Sequence, residues 1–231
     1  MSDIVWHDVE CGRYLADMPL WEELAQDAER ILDVGAGTGR VTLRLVAAGH
    51  DVTALDIDAE LLAALQSRAQ TPVATITGDA SDFTTDGRFD LIAVPMQTIQ
   101  LLTDRDGFFA SARRALEPGG LLAIAIATEL EPYDGGPPLP PPDMGREDGW
   151  TYISQPVAIR VDDEKASIER VRQRVGPGEE RITTEDEIVL YRVTPGGLAE
   201  EAARHGLEAE ELRHIPETLE HVASQVVLFR G

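Results

Sequence analysis

Two carboxylates and three glycines stand where a cofactor that contains a nucleoside could be held. Gly35, Gly37 and Gly39 alternate directly after an apolar segment that contains Asp33. Glycines let the backbone turn tightly and let a bulky ligand press against main-chain atoms. Asp56 ends the next strand-like segment, 23 residues after Asp33. An ionised carboxylate at that point is well placed to accept charge-assisted hydrogen bonds from both hydroxyls of a ribose.

The spacing of the glycines distinguishes between nucleotide cofactors. A dinucleotide fingerprint has glycines at its first, third and sixth positions, and the sixth allows close packing of helix against strand. Counted from Gly35, the sixth position is Arg40, a large charged residue. Arg40 therefore disfavours a nicotinamide-dependent oxidoreductase, which is an alternative from another enzyme class.

The elements that must position these residues alternate between strand and helix in the first half of the chain. Short connections between alternating strands and helices predict a parallel sheet that is covered on both faces. An earlier helix is predicted over residues 20–30, with Asp17 as a candidate cap. The predicted strands are 31–34, 51–56, 73–77, 89–94 and 121–126, and the predicted helices between them are 40–48, 58–69 and 107–116.

The second half of the chain predicts an insertion followed by a return to the core. Residues 133–148 contain a stretch too rich in proline for helix or sheet. Beyond it, turns separate three strand-like segments, which predicts an antiparallel meander. Thr194 and Pro195 then predict a helix start. The segments are strands at 150–161, 166–175 and 181–193, a helix at 195–206, and last strands at 207–214 and 221–229. Open sheets bind ligands at the carboxyl ends of their strands, so we expect the meander to form a lid there.

These motifs together resemble those of the class I S-adenosylmethionine-dependent methyltransferases. Residues 31–40 closely resemble motif I of that family. Asp56, Gly78-Asp79-Ala80, Pro95-Met96-Gln97 and the turn at 116–120 resemble later motifs in the same order, and the resemblance covers residues 20–128. It implies an α/β fold: a Rossmann-like, doubly wound, seven-stranded and mostly parallel sheet with an antiparallel β-meander inserted after the fifth strand.

The resemblance also implies roles for individual residues. In that family the residue at Asp56 holds the ribose, and the residue at Asp79 holds the amino group of adenine. Ala80 would pack beside the base, while Met96 and Gln97 would form the cofactor-side floor of the active site.

Two further residues belong to the same expected site. Asp33 has two interpretations: it could cap the amides of the glycine loop, or it could help to fix the amino-acid end of the cofactor. Ile57 could lie against the face of adenine. The residues expected to bind S-adenosylmethionine are therefore Asp33, Gly35, Ala36, Gly37, Gly39, Asp56, Ile57, Asp79, Ala80, Met96 and Gln97.

Candidates on the acceptor side rest on weaker patterns. Tyr14 resembles the early tyrosine that closes over the cofactor in several small-molecule methyltransferases, but packing of the lead-in explains it equally well. Gln97 and Gln100 could face the methyl group, with solvation of a helix start as the alternative. The residues near the base of the meander that could line a pocket are Glu129, Tyr133, Trp150 and Tyr152.

Composition limits the partners. The 231 residues include 42 Asp and Glu against 20 Lys and Arg, for a net charge of −22. Such a surface repels phosphate backbones, so we expect no nucleic-acid acceptor. Residues 94–97 also lack the Asn- or Asp-Pro-Pro-aromatic signature of many base-modifying relatives. The histidines have no paired metal-ligand spacing, so we expect no metal, and a corner of His7, Glu10 and Cys11 is disfavoured.

The location follows from similar considerations. The N-terminus has no signal-peptide pattern, and no apolar run approaches the ~20 residues that span a bilayer. The single cysteine, Cys11, fits a reducing cytoplasm. Lys165 is the single lysine, and alanine and glycine are abundant, a composition that suggests a GC-rich bacterial genome. We therefore expect a cytoplasmic, bacterial protein with no membrane partner.

The resemblance implies a methyltransferase that uses S-adenosylmethionine to methylate nitrogen or oxygen of a small molecule. A catalytically silent S-adenosylmethionine-binding interaction or regulatory protein would keep the same motifs. A protruding meander often forms a dimer contact, so a homodimer is left open. The expected organisation is a helical lead-in at 1–30, a cofactor-binding core at 31–128, a proline-rich loop and lid at 129–193, and the last helix and strand pair of the core at 194–231.

Overall fold

The computed structural model describes residues 3–136, 139–218 and 221–231. The helices are α1 (Asp3–Cys11), α2 (Met18–Ala25), α3 (Thr42–Ala47), α4 (Ala59–Arg68), α5 (Thr98–Leu101), α6 (Arg105–Ala115) and α7 (Pro195–Ala203). The strands are β1 (Arg30–Val34), β2 (Asp51–Asp56), β3 (Ala74–Thr77), β4 (Phe89–Val94), β5 (Leu116–Ile126), β6 (Tyr133–Asp134), β7 (Asp143–Glu147), β8 (Trp150–Val161), β9 (Lys165–Val175), β10 (Arg181–Tyr191), β11 (Glu208–Ile215) and β12 (Ser224–Arg230).

The main sheet has seven strands in the order β11-β12-β5-β4-β1-β2-β3. Strands β1 to β5 are parallel, whereas β12 is antiparallel to β5 and to β11. Chain order therefore runs outward from β1 in one direction and then returns to build the other half. This is the predicted Rossmann-like, mostly parallel sheet, and the prediction of the fold class is confirmed.

Alternate residues of each central strand pack against helices on opposite faces of the sheet. Leu32 of β1 belongs to a buried cluster with Phe108 of α6 and with residues of α7. Its neighbour Ile31 belongs to another cluster, with Trp21 of α2 and Leu45 of α3. A period of two with both faces buried is typical of strands in a doubly wound sheet. The carboxyl ends of these strands are thereby held rigidly at one edge.

A second, antiparallel sheet is inserted between β5 and α7. Its order is β10-β9-β8-β6, and β7 pairs with β8 beside that path. The predicted three-stranded meander corresponds to β8, β9 and β10. Strands β6 and β7 lie on either side of the stretch that was predicted to be too rich in proline for helix or sheet. They flank the prolines, where the remaining described residues 135–136 and 139–142 have no regular structure, and residues 137–138 lie outside the described part.

The lead-in differs most from the prediction. Helix α1 was not predicted, and α2 spans Met18–Ala25, whereas the prediction extended to residue 30, which begins β1. Asp17 makes no capping hydrogen bond to α2. Its carboxylate instead accepts hydrogen bonds from the Trp21 indole and from the Arg40 guanidinium. The lead-in is therefore attached to the core by a buried ion pair.

Other local predictions match the structure at their boundaries. The Asp58 side chain accepts hydrogen bonds from two amides at the start of α4, and the Thr194 hydroxyl accepts one from the Gly197 amide at the start of α7. The predicted turn at 116–120 is instead an irregularity inside β5, where the pairing with β4 shifts register.

Within the described residues, no helix combines the length and apolar character needed to cross a membrane.

Candidate cofactor and acceptor site

A cavity of about 690 Å³ opens at the carboxyl ends of β1 to β4. Ligands bind at this edge in open α/β sheets. Its walls come from the loops after these strands, from α1 and from the inserted sheet. Nine of the eleven expected cofactor residues line it, namely Asp33, Gly35, Ala36, Asp56, Ile57, Asp79, Ala80, Met96 and Gln97.

The glycine loop leaves no room for side chains. Gly35 has a φ of +74° and Gly37 a φ of +54°, a region of backbone conformation that favours glycine. A Cβ at Gly35 would lie 2.6 Å from the Thr98 side chain, and one at Gly37 would overlap the His7 ring. Gly39 packs in the same manner against the side chains of Leu43 and Leu65. The loop is therefore enclosed by α1, α4 and the start of α5, so its amides keep fixed positions.

The Asp56 carboxylate organises the loop from the end of β2. Its Oδ2 accepts a hydrogen bond from the Gly37 amide at 2.8 Å, and its Oδ1 accepts one from the Asp58 amide at 2.9 Å. The residue is only 9% exposed and lines the cavity. Each carboxylate oxygen has a second lone pair. Asp56 can therefore hold the loop and still accept hydrogen bonds from a ligand.

Asp33 presents an unsatisfied oxygen at the base of the cavity. Its Oδ2 accepts a hydrogen bond from the Thr42 hydroxyl at 2.6 Å. Its Oδ1 is buried and has no partner in the described part of the chain. Burial raises the pKa of this carboxyl to about 6, against the opposing effects of Thr42 and Arg40. A buried acceptor without a partner costs free energy, and a ligand that brings a cationic donor would remove that cost.

Ile57, Asp79, Ala80 and Met96 also line the cavity. Ile57 is 72% exposed, and Ala80 is buried. Asp79 is exposed, and its Oδ1 accepts a hydrogen bond from the Ser81 amide. Met96 has a φ of 54°, a strained conformation for a residue with a side chain. Strain of this kind is concentrated at ligand-binding sites. The exposed Ile57 side chain lines the same cavity and offers a surface for a flat ring.

Of the three catalytic candidates, only Gln97 lines the cavity. Gln100 is 1% exposed, and its amide exchanges hydrogen bonds with the backbone of Ala127 and donates to the carbonyl of Tyr191. It therefore joins the end of β5 to the end of β10. The Tyr14 ring packs against the His221 ring at 4.7 Å and beneath the Arg40 guanidinium. Neither Tyr14 nor Gln100 therefore contributes to the cavity lining.

The residues considered for an acceptor pocket also lie elsewhere. Tyr152 is buried against Trp6 and Val9 of α1, and Trp150 packs on the same cluster. The Tyr133 hydroxyl donates to the carbonyl of Gly136. None of these three lines the cavity, and neither does Glu129.

The sequence did not indicate the wall that faces the glycine loop. From α1 it contains Trp6, His7, Glu10 and Cys11, and from the inserted sheet it contains Arg172, Asp186, Ile188 and Leu190. Glu10 accepts two hydrogen bonds from Arg172 at 2.7 Å and one from Ser154. Arg172 also donates to Asp186 at 2.8 Å and lies over the Trp6 ring.

Glu10 and Cys11 of this wall belong to the corner that the sequence disfavours as a metal site. In the described ranges, no group of three or more His, Cys, Asp or Glu side chains is arranged to hold a metal ion. Glu10 is committed to Arg172, and burial raises the pKa of the Cys11 thiol to about 11. Cys11 is therefore a protonated, unreactive thiol at neutral pH.

Comparison with known sequences identifies the central part of the chain. Residues 31–120 match the family model described as a methyltransferase domain. A putative methyltransferase, YqeM of Bacillus subtilis, is 31% identical over 108 residues, which are 44% of each chain. The cypemycin N-terminal methyltransferase of a Streptomyces species is 34% identical over 98 residues, 41% of this chain and 40% of the relative. The match thus spans less than half the length of these curated relatives.

Solved structures resemble the whole chain. The amino pentose methyltransferase CalS10 from Micromonospora echinaspora, bound to S-adenosylmethionine, superposes with a TM-score of 0.75 at 21% identity, over 98% of this chain and 97% of that one. DesVI from Streptomyces venezuelae gives 0.71 at 19% identity, over 95% and 91%. The sugar N-methyltransferase KedS8 from a Streptoalloteichus species gives 0.73 at 16% identity, over 99% and 91%.

The structural similarity shows that the fold is shared. The sequence match covers residues 31–120, which include the glycine loop. Both agree with the arrangement of Asp33, the glycines and Asp56 at the carboxyl ends of β1 and β2. Over residues 31–120 the chain therefore matches a methyltransferase domain, and it shares its fold with solved methyltransferases such as the one bound to S-adenosylmethionine.

Proposed function

We propose that this protein binds S-adenosylmethionine in the 690 Å³ cavity and transfers its methyl group to a nitrogen or oxygen of a small molecule. The observation that carries the proposal is the pair of carboxylates at the glycine loop. Asp33 in β1 has a buried carboxylate oxygen without a partner in the described part of the chain. Asp56, at the end of the neighbouring strand β2, has lone pairs that remain free to accept hydrogen bonds. The two acids match the cationic amino group and the ribose diol of a sulfonium nucleoside.

The remaining residues fit the same ligand. The exposed side chain of Ile57 suits the face of adenine, with Ala80 beside the base and Asp79 at its amino group. Met96 and Gln97 would border the reacting methyl group, as the family resemblance implies. We do not place Tyr14 or Gln100 at the reaction, because neither side chain lines the cavity.

The cofactor would supply an electrophilic methyl group on a good leaving group. The protein then needs to align the acceptor with the methyl carbon and to keep water away. Positioning of this kind can lower a barrier by ~7–11 kcal/mol. The rigid strand ends and the packed glycine loop hold one reactant, while α1 and the inserted sheet enclose the space in which the other must lie.

An amine is the acceptor that this wall favours. Glu10 and Asp186 share one cation, Arg172, so the three side chains together carry a net charge of −1. The whole chain carries a net charge of −22, and the negative electrostatic potential of such a surface concentrates cationic ligands. The leucine and isoleucine side chains of the same wall suit the carbon skeleton of a small molecule. The cytoplasmic location and the homodimer stay predictions.

Calorimetry with S-adenosylhomocysteine tests the proposal most directly. We expect saturable binding with a Kd in the micromolar range, since the site offers several charge-assisted hydrogen bonds. Absence of binding at millimolar ligand would refute the methyltransferase function. Transfer of a labelled methyl group to a panel of small amines and alcohols then separates an enzyme from a catalytically silent binding protein, which would bind the cofactor without turnover.

Asp33→Asn is expected to stabilise the free protein while it weakens ligand binding. The pKa of Asp33 is raised from 3.8 to about 6, so the folded state holds this proton more tightly than the unfolded state. Stability therefore falls as pH rises from 3.8 through 6, and the full penalty of about 3 kcal/mol is present at pH 7. Asparagine removes that penalty, and we expect a gain of about 1–3 kcal/mol in urea unfolding at pH 7.

The same substitution should reduce the affinity for S-adenosylhomocysteine about tenfold or more, because a charge-assisted hydrogen bond is lost. At pH 4 the gain in stability should be small, since wild-type Asp33 is then protonated in the folded state. Asp82→Asn is the control, because the Asp82 side chain is 93% exposed. A loss of stability at pH 7 would contradict the burial penalty that we assign to the ionised Asp33 carboxylate.

A further inference from the structure

We propose that His7 of α1 is a further cofactor-binding residue, which accepts a hydrogen bond from a ribose hydroxyl through its Nε2 atom. The inference rests on the proposed function, since it places the same cofactor in the same cavity. It adds a residue from the lead-in to a site otherwise built by the strand ends.

The His7 ring lies directly against the glycine loop. A Cβ built on Gly37 would overlap the Nε2 and Cε1 atoms of His7, so the ring edge that carries Nε2 faces Gly37. The amide of Gly37 is also the group that holds Oδ2 of Asp56. His7 and Asp56 therefore approach one glycine from two elements, and both line the cavity.

The hydrogen bonds behind His7 determine which ring nitrogen is free to accept. The Thr38 hydroxyl donates to Oδ1 of Asp8 at 2.7 Å, because an ionised carboxylate can only accept. The single hydroxyl proton is thereby used, so the contact of 3.2 Å between Thr38 Oγ1 and His7 Nδ1 requires the proton on Nδ1. In the neutral ring Nε2 is then an acceptor. Nε2 has no hydrogen-bond partner in the part of the chain that the structure describes.

The charge state of the ring agrees with this assignment. Burial lowers the pKa of His7, and Arg40 adds to the effect, whereas the carboxylates of Asp8, Asp56 and Glu10 oppose it. At neutral pH the ring is therefore uncharged, and Nε2 keeps its lone pair. Asp8 is itself fixed by Arg68, so the relay from Asp8 through Thr38 to His7 is anchored to α4.

The position of His7 on α1 gives the contact a consequence for the acceptor. Glu10 lies three residues further along the same helix, and residues three apart share a helix face. Glu10 holds Arg172 of the inserted sheet. A ribose bound to His7 would therefore fix α1, the helix that also contributes Glu10 to the wall that faces the glycine loop.

The test compares His7→Phe and His7→Gln by calorimetry with S-adenosylhomocysteine. Phenylalanine keeps a flat ring but cannot accept a hydrogen bond, so we expect about a tenfold loss of affinity. Glutamine retains an acceptor and should stay within about threefold of the wild type. The control is His50→Phe, because His50 lies outside the cavity lining, and its affinity should be unchanged. Where the phenylalanine variant does not fold by circular dichroism, His7→Leu replaces it.

Ligands that lack one ribose hydroxyl make the test specific. The 2′-deoxy and 3′-deoxy analogues of S-adenosylhomocysteine should both bind the wild type more weakly. For one of them, His7→Phe should cause no further loss, because the hydroxyl that His7 contacts is already absent. Equal affinity of wild type and His7→Phe for the parent ligand would overturn the inference, as would an equal loss for all three ligands. If the wild type itself binds none of them, the proposed function fails instead.

Discussion

Replacement of Asp56 by alanine is expected to reduce the affinity for S-adenosylhomocysteine by about 100-fold or more. Hydrogen bonds to a charged group contribute about 1.5–3 kcal/mol each, and the ribose diol would make two of them. The substitution also removes the acceptor of the Gly37 amide and that of the Asp58 amide. The glycine loop would then lose its link to β2, which adds to the loss of affinity. Calorimetry at pH 7.5 measures the effect.

Two further variants separate ribose binding from general damage. Asp56→Asn keeps one oxygen acceptor without the charge, so an intermediate loss of about tenfold is expected. Asp58→Ala, in the same loop, removes the cap of α4 and should cost about 1 kcal/mol of stability. Asp58 does not line the cavity, so affinity should change less than threefold. Unaltered affinity in Asp56→Ala would exclude the carboxylate from ribose binding.

The part of the site that was predicted from sequence depends on local structure. In the segments 31–40 and 51–58, a buried strand is followed directly by a turn, and the residue types in each turn favour its conformation. A cap such as Asp58 bonds to amides two and three residues away, and the glycines have the positive φ that their turn requires. Such features are fixed by neighbours in the chain, so residue type and spacing are sufficient to predict them.

The wall opposite the glycine loop depends on contacts that no local pattern specifies. Glu10 and Arg172 are 162 residues apart, and they meet only because the inserted sheet folds back onto α1. A signal for α1 was present, since Trp6 and Val9 are spaced for one helix face. That spacing could have predicted the helix but not its partner. The prediction for Gln100 failed for the same reason. Its hydrogen bonds to the backbone of residues 127 and 191 cannot be predicted from the residues next to it in the sequence.

The role of Arg40 is another long-range feature. In the sequence its size and charge only exclude a dinucleotide fingerprint. In the structure its guanidinium makes two hydrogen bonds to the Asp17 carboxylate, at 2.6 and 2.8 Å, and one to the carbonyl of Tyr14. The Arg40 and Asp17 side chains are 7% and 1% exposed. The residue that excludes one cofactor thus attaches the lead-in, and with it one side of the cavity, to the glycine loop.

Arg40→Met is therefore expected to lower the free energy of unfolding by about 3–5 kcal/mol, because removal of one partner leaves a buried charge unpaired. Among the side chains that the structure describes, Asp17 would keep only the Trp21 indole as a donor. Asp17→Asn together with Arg40→Met removes both charges, so the double variant should recover more than half of the loss. Arg44→Met is the matched control, since its ion pair with Glu22 is about half exposed and should contribute less than about 1 kcal/mol. Urea unfolding of the four proteins checks this order, and a loss in Arg40→Met no larger than that in Arg44→Met would show that the buried pair does not hold the lead-in.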